Sequence, residues 1–274
     1  MIPNGVCYPT AVKAIDQDDL CVRARCLHDQ GWQARDIAAA LHVPPVTVDA
    51  WLAPEPPAPV PALDFAEWVQ YLFDNPPDYR WFDRITAWDD LPSGVLVRYL
   101  TRLFMEAGTV LAPFSDVQIN QTLWFLVGEG SDGAWVLFDE AVPWAERRAC
   151  LEATIALFTD CFLTRCTPTL SHLDEPASAL NSICYMWWDL FPTWGAPEDP
   201  RRAELDALVL SLLERILELP SDACRESALH GLGHWMSHYP ERVVGIVDAW
   251  LRRQPEIRPA LRTYALAARC GCVL

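Results

Sequence analysis

Apolar residues recur along this chain at spacings of three and four, and strand-like alternation is nowhere sustained. Phe65, Trp68, Val69, Leu72 and Phe73 share one helical face. They follow Asp64 with Glu67 three residues on, the spacing of a capping box. Leu96, Leu100, Leu103 and Phe104 repeat the pattern between Ser93 and Ala107, where Gly108 ends it. Ser115 with Gln118 predicts a second capping box, opening a helix that the glycine-rich loop Gly128–Gly133 stops. Further helices are predicted over 143–165, 177–189, 201–218, 222–238, 241–253 and 256–269, separated by Pro192, Pro220, Pro240 and Pro255. The predicted fold class is all-α.

One boundary interrupts the periodicity. Pro54, Pro56, Pro57, Pro59 and Pro61 fall within eight residues, a density that forbids helix and favours an extended spacer. The predicted organisation is a small module over 1–53, a proline-rich linker over 54–63 and a larger helical domain over 64–274. In the small module Leu20, Ala24 and Leu27 share a helix face, Gly31 breaks that helix, and His42-Val43-Pro44 turns the chain between two further helices. Ile37, Leu41, Val43, Val48, Trp51 and Leu52 have the spacing that packs two helices across a tight turn. The run Gly31-Trp32-Gln33-Ala34-Arg35-Asp36-Ile37, with Ala38 to Leu41, Val43, Thr47-Val48 and Trp51-Leu52, resembles the helix-turn-helix of bacterial regulators, recombinases and transposases. That resemblance implies a three-helix unit whose third helix could enter the DNA major groove. The residues oppose DNA binding: Pro45 to Leu52 contains no Arg, Lys, Asn or Gln and includes Asp49. Gln33, Arg35 and Thr47 are what remains as candidate phosphate or base contacts.

An internal echo marks the larger domain. Ser178-Ala179-Leu180-Asn181 through Trp187 aligns with Ser227-Ala228-Leu229-His230 through Met236, an offset of 49 residues. Each segment ends near a proline before a second helix. Paired helices at such a period resemble degenerate HEAT repeats, which implies an α-solenoid with a binding surface on one face.

Charge narrows the partners. Asp and Glu number 37 against 21 Lys and Arg, a net charge of −16, so nucleic acid and anionic lipid are repelled wherever positive charge is not concentrated. No apolar run reaches transmembrane length, and the N-terminus shows no basic-then-apolar leader, so a cytoplasmic protein with no membrane partner is expected. The ten cysteines contain no C-x-x-C pair, and reduced, mostly buried thiols are expected of them.

Candidate chemistry gathers around two histidines. Glu226, His230 and His234 lie four apart on one helix face, and two histidines at i and i+4 can share a metal. Glu226 and His234 are about 12 Å apart along such a helix, too far to ligate one ion together. A third ligand would come from another helix, with Asp189, Cys184 and His172 as the choices. In the echo the two histidines become Asn181 and Tyr185, so helix packing does not require them. The competing reading is a hydrogen-bonded histidine pair between stacked helices. Gly231 and Gly233 within the same helix predict close approach of a neighbour, under Trp187 or Trp188. Trp187, Trp188 and Trp235 are candidate anchors for a partner in a chain with 13 tryptophans. No G-x-S-x-G, P-loop or Cys–His pattern is present. No catalytic residue is assigned and no cofactor is expected. The leading reading is a non-enzymatic interaction scaffold that binds a protein or peptide. A DNA-binding regulator acting through 31–52 is the first alternative, and a metal-dependent enzyme centred on His230 and His234 is the second.

Overall fold

Among the described residues the helical periodicity is realised as helix. The computed structural model describes residues 17–52, 63–76, 91–128, 133, 135–191 and 194–273, and among them there is no strand. Most of the proline-rich linker, Trp81, Trp88 and the Asp89-Asp90 pair lie outside the described residues. No described helix is long and apolar enough to cross a membrane. The chain divides into two compact units, Met1–Val60 and Pro61–Leu274.

The first unit holds α1 (Gln17–Asp29), α2 (Ala34–Leu41) and α3 (Pro45–Leu52). Ala24, Ile37, Ala38 and Val48 form its core, with Leu27, Leu41, Val43, Trp51 and Leu52 packed around them. His42 closes α2 in the left-handed region at φ 57°, its N–H reaching the carbonyls of Ala38 and Ala39. On α3 the exposed positions are apolar or acidic: Val46 is 71% exposed and Asp49 lies outward. Gln33 and Arg35 are exposed and Thr47 is half-buried.

The second unit begins with α4 (Phe65–Phe73) and α5 (Ser93–Met105), followed by the single turn α6 (Ala107–Val110) and α7 (Asp116–Val127). Both predicted capping boxes form. Asp64 accepts from the Glu67 N–H while Glu67 accepts from the Asp64 N–H, and Ser115 and Gln118 do the same. The predicted helix over 143–165 is α8 (Trp144–Leu157), a π-helical turn over Phe158–Phe162 and the short α9 (Leu163–Arg165). Then come α10 (Leu180–Leu190), α11 (Ala203–Leu217), α12 (Asp222–Trp235), α13 (Pro240–Arg253) and α14 (Pro259–Ala268).

Of these, α12 is the most enclosed, and even Glu226, Ser227 and His230 on it are buried. It packs against α10, α11, α13 and α14, while α11 also packs against α13. Helices α10, α12 and α14 therefore form one layer, with α11 and α13 behind. Glycine lets α12 approach so closely: a Cβ at Gly231 would lie 2.6 Å from Trp188 Cβ and 2.8 Å from Leu213 Cδ2. One at Gly233 would lie 2.5 Å from Val273 Cγ2. The neighbour anticipated from the sequence is thus Trp188. Alanine at 231 gains about 1 kcal/mol in helix propensity. Overpacking costs more, about 1–3 kcal/mol, because Trp188 Cβ sits at the root of its side chain and cannot swing away. Gly231→Ala is expected to lower the urea midpoint, with a net loss of up to about 2 kcal/mol. An unchanged midpoint would show that α10 and α12 can separate freely.

The described cysteines are free thiols. Burial pushes Cys150 and Cys161 up to about 12, so both stay protonated.

Candidate metal centre

The layer α10–α12–α14 brings four polar side chains together. Asp189 stands in the last turn of α10, His230 and His234 one turn apart on α12, and Tyr264 on α14. His234 Nε2 is 3.2 Å from His230 Nε2. Asp189 Oδ1 lies 3.0 Å from the Nε2 of His230 and 2.7 Å from that of His234. One donor atom from each of the three residues falls within 4.8 Å of the others. A tetrahedral ion with bonds of about 2.0–2.1 Å separates its ligand atoms by roughly 3.3 Å, close to the spacing found between the imidazoles.

Hydrogen bonding alone leaves this group incomplete. Asp189 Oδ1 is buried and no N–H is aligned on it, although two imidazole nitrogens are near. Asp189 Oδ2 is 3.1 Å from His230 Nε2. Burial opposes ionisation of Asp189, but the hydrogen bonds and charge of the two histidines outweigh it and hold the carboxyl well below the usual carboxylate range. The Asp189 carboxylate beside His234 in turn raises that imidazole, against the effect of burial. The His234 side chain is 39% exposed and that of Asp189 20%, so the group opens to solvent on that side, whereas His230 is buried.

Behind the group, His230 Nδ1 lies 2.7 Å from the Tyr264 hydroxyl, which is 3.0 Å from that of Tyr185. Burial raises both phenols, so they remain neutral hydroxyls. With Nε2 as the ligand atom, His230 donates from Nδ1–H to Tyr264, which donates onward to Tyr185. Such a partner fixes the tautomer and ring orientation of a ligating histidine.

Glu226 sits elsewhere. Its carboxyl, fully buried one turn before His230, accepts from the backbone N–H groups of Ser171 at 2.8 Å and His172 at 3.0 Å. It also contacts His172 Nδ1 at 2.5 Å. His172 stacks on Tyr264 with ring centroids 4.2 Å apart, so Glu226 supports the site from behind rather than joining its donors. Of the three choices for a third ligand, Asp189 is the one brought to the histidines; Cys184 faces the Ala223 carbonyl. The echo residue Tyr185 lies over His230 at 4.3 Å, while Asn181 bonds the backbone of Thr167.

The expected tryptophan anchors require correction. Trp187, Trp188 and Trp235 are fully buried and cannot meet a partner. Trp187 packs among Phe104, Phe158, Phe162 and Phe191, and Trp188 stacks on Phe158. Tyr264 was not singled out in the sequence, where a tyrosine 34 residues from its histidine partner carries no spacing signal.

Comparison with protein families, curated proteins and solved structures gives no match for this chain.

Proposed function

We propose that the protein binds a divalent transition-metal ion through Asp189, His230 and His234 and uses it in metal-dependent chemistry. The convergence of three donor atoms from two helices, at the spacing of a metal's ligand sphere, carries this reading. Two imidazoles and a carboxylate suit zinc or iron(II). Three protein ligands leave a coordination position for water, and a bound ion lowers the pKa of that water to about 7. The exposed edges of His234 and Asp189 mark the side from which water and substrate would arrive. Hydrolysis is the reaction class this arrangement favours. The neutral hydroxyl of Tyr185, next to Tyr264, is a hydrogen-bond donor within the same group.

The architecture supports a HEAT-like reading of the larger unit. The echo helices α10 and α12 pack directly on each other, α14 follows in the same layer, and α11 and α13 pair in the second. Equivalent helices of stacked repeats are neighbours in this way, and the site lies across three of them. For the small unit the helix-turn-helix resemblance stands as a proposal about form. Val46 and Asp49 on α3 oppose a DNA-binding role.

The deciding experiment is calorimetric titration of the chelator-stripped full chain with Zn²⁺ and, separately under anaerobic conditions, Fe²⁺. One ion per chain with a Kd of about 1 μM or tighter is the expected result. Absence of saturable binding by either ion would overturn the proposal.

A further inference from the structure

A second site lies outside the Asp189–His230–His234 group. A cleft of about 800 Å³ is lined by Trp135, Phe138, Trp144 and Trp194 together with charged residues from the start of α11 and the turns before it. Trp135 and Trp194 are 52% and 42% exposed, among the largest apolar side chains left open to solvent. They meet edge to face, with ring centroids 6.0 Å apart and planes at 62°, and Phe138 lies parallel to Trp194. Indoles fixed against each other in this way form a rigid surface.

The cleft already uses its aromatic faces to hold cations. The Arg202 guanidinium lies 4.6 Å over Phe138, and that of Arg147 5.6 Å from Trp144. Trp135 and Trp194 carry no such cation among the described residues. The cleft's arginines are also engaged. Arg201 pairs with Glu140 and Asp199, Arg202 bonds Asp206 and the Trp194 carbonyl, and Arg147 bonds the Leu137 carbonyl. Glu204, exposed at the first turn of α11, has no ion-pair partner among the described residues. Glu204 is thus an unpaired carboxylate in the lining of the cleft that holds the two partly exposed indoles.

We infer that this cleft binds a small quaternary-ammonium compound of the choline class, with Trp135 and Trp194 against the ammonium methyls and Glu204 supplying the counter-charge. A primary ammonium demands several hydrogen-bond acceptors when it leaves water, and here Glu140 and Asp199 are already taken by Arg201. A quaternary cation has no N–H to satisfy, is weakly hydrated and is attracted by the indole quadrupole. The volume is of the size that holds small molecules.

Choline and its neutral isostere 3,3-dimethylbutan-1-ol separate charge from shape. Calorimetric titration of the metal-free full chain is expected to show choline binding about tenfold or more tightly than the isostere. Trp194→Ala and Trp135→Ala should each weaken choline about tenfold, and Glu204→Gln several-fold. All three side chains are exposed, so the variants should remain folded, and thermal melting verifies this. Equal affinity for choline and the isostere would overturn the inference, as would choline binding that the tryptophan variants leave unchanged. Failure to saturate below about 10 mM would overturn it as well.

Discussion

Replacing His234 by alanine is expected to abolish high-affinity metal binding while leaving the fold almost untouched. Its side chain is 39% exposed, so little packing is lost and the stability cost should stay within about 1 kcal/mol. The metal loses one of three protein ligands. Removing a residue that merely orients a ligand already costs about 10–100-fold in affinity, so loss of the ligand itself should exceed a hundredfold. Stability gives an independent readout. At a free zinc concentration about 100 times Kd, binding stabilises the folded state by about 2.7 kcal/mol. At about 2–4 °C per kcal/mol for a chain of this size, melting should rise by about 5–10 °C in the parent and not in His234→Ala. Tyr264→Phe provides the graded case: His230 loses the acceptor at its Nδ1, the three ligands stay, and affinity should fall about 10–100-fold. His230→Ala would also remove binding, but His230 is buried between Tyr185, Tyr264 and Asp189, so that variant mixes ligand loss with a cavity. If zinc raises the melting temperature of His234→Ala as far as that of the parent, the ion sits elsewhere and the proposed centre is wrong.

The histidine pair shows what a sequence can and cannot display about such a site. Spacing of four on one helix is local, so His230 and His234 could be placed on a common face from the chain alone. The third donor is a tertiary matter. Sequence alone favoured Asp189 over Cys184 and His172 without placing it, and the packing of α10 on α12 sets its Oδ1 2.7 Å from His234 Nε2. The glycines were more informative, because two of them inside a helix disfavour that helix unless a neighbour needs the room; Trp188 fills it at Gly231, whereas at Gly233 the neighbour is Val273, which no spacing announced. The capping boxes were legible for the same reason as the histidines: each is a contact three residues long.

Tryptophans behaved differently. Trp187, Trp188 and Trp235 lie on periodic helical segments, where an apolar face marks burial, and burial is what they have. Treating them as partner anchors set their chemistry above that periodicity. The open pair, Trp135 and Trp194, stands in a 3₁₀ turn and an irregular segment where no periodicity exists to read. Their meeting depends on contacts between residues 59 positions apart.

Glu226→Ala should be the most destabilising of these substitutions, at about 3–5 kcal/mol. The carboxyl is fully buried and is the acceptor shared by the Ser171 and His172 N–H groups and the His172 ring. Each donor left without a partner costs about 1–3 kcal/mol, and the truncated side chain leaves a void beneath the turn at 171–173. Glu226→Gln keeps the shape and one acceptor oxygen but turns an amide N–H₂ toward a donor, so it should lose less than alanine and still be clearly weaker than the parent. Urea unfolding followed by circular dichroism should show a lowered midpoint at unchanged slope. Zinc binding separates this role from ligation. Because Asp189, His230 and His234 all remain, folded Glu226→Ala should still take up one ion and should gain stability from it, whereas His234→Ala should not. A loss below about 1 kcal/mol would mean that the 171–173 turn is held by other contacts. Loss of zinc uptake by a folded Glu226→Ala protein would mean that His172 and Tyr264 align His230 only while Glu226 holds them.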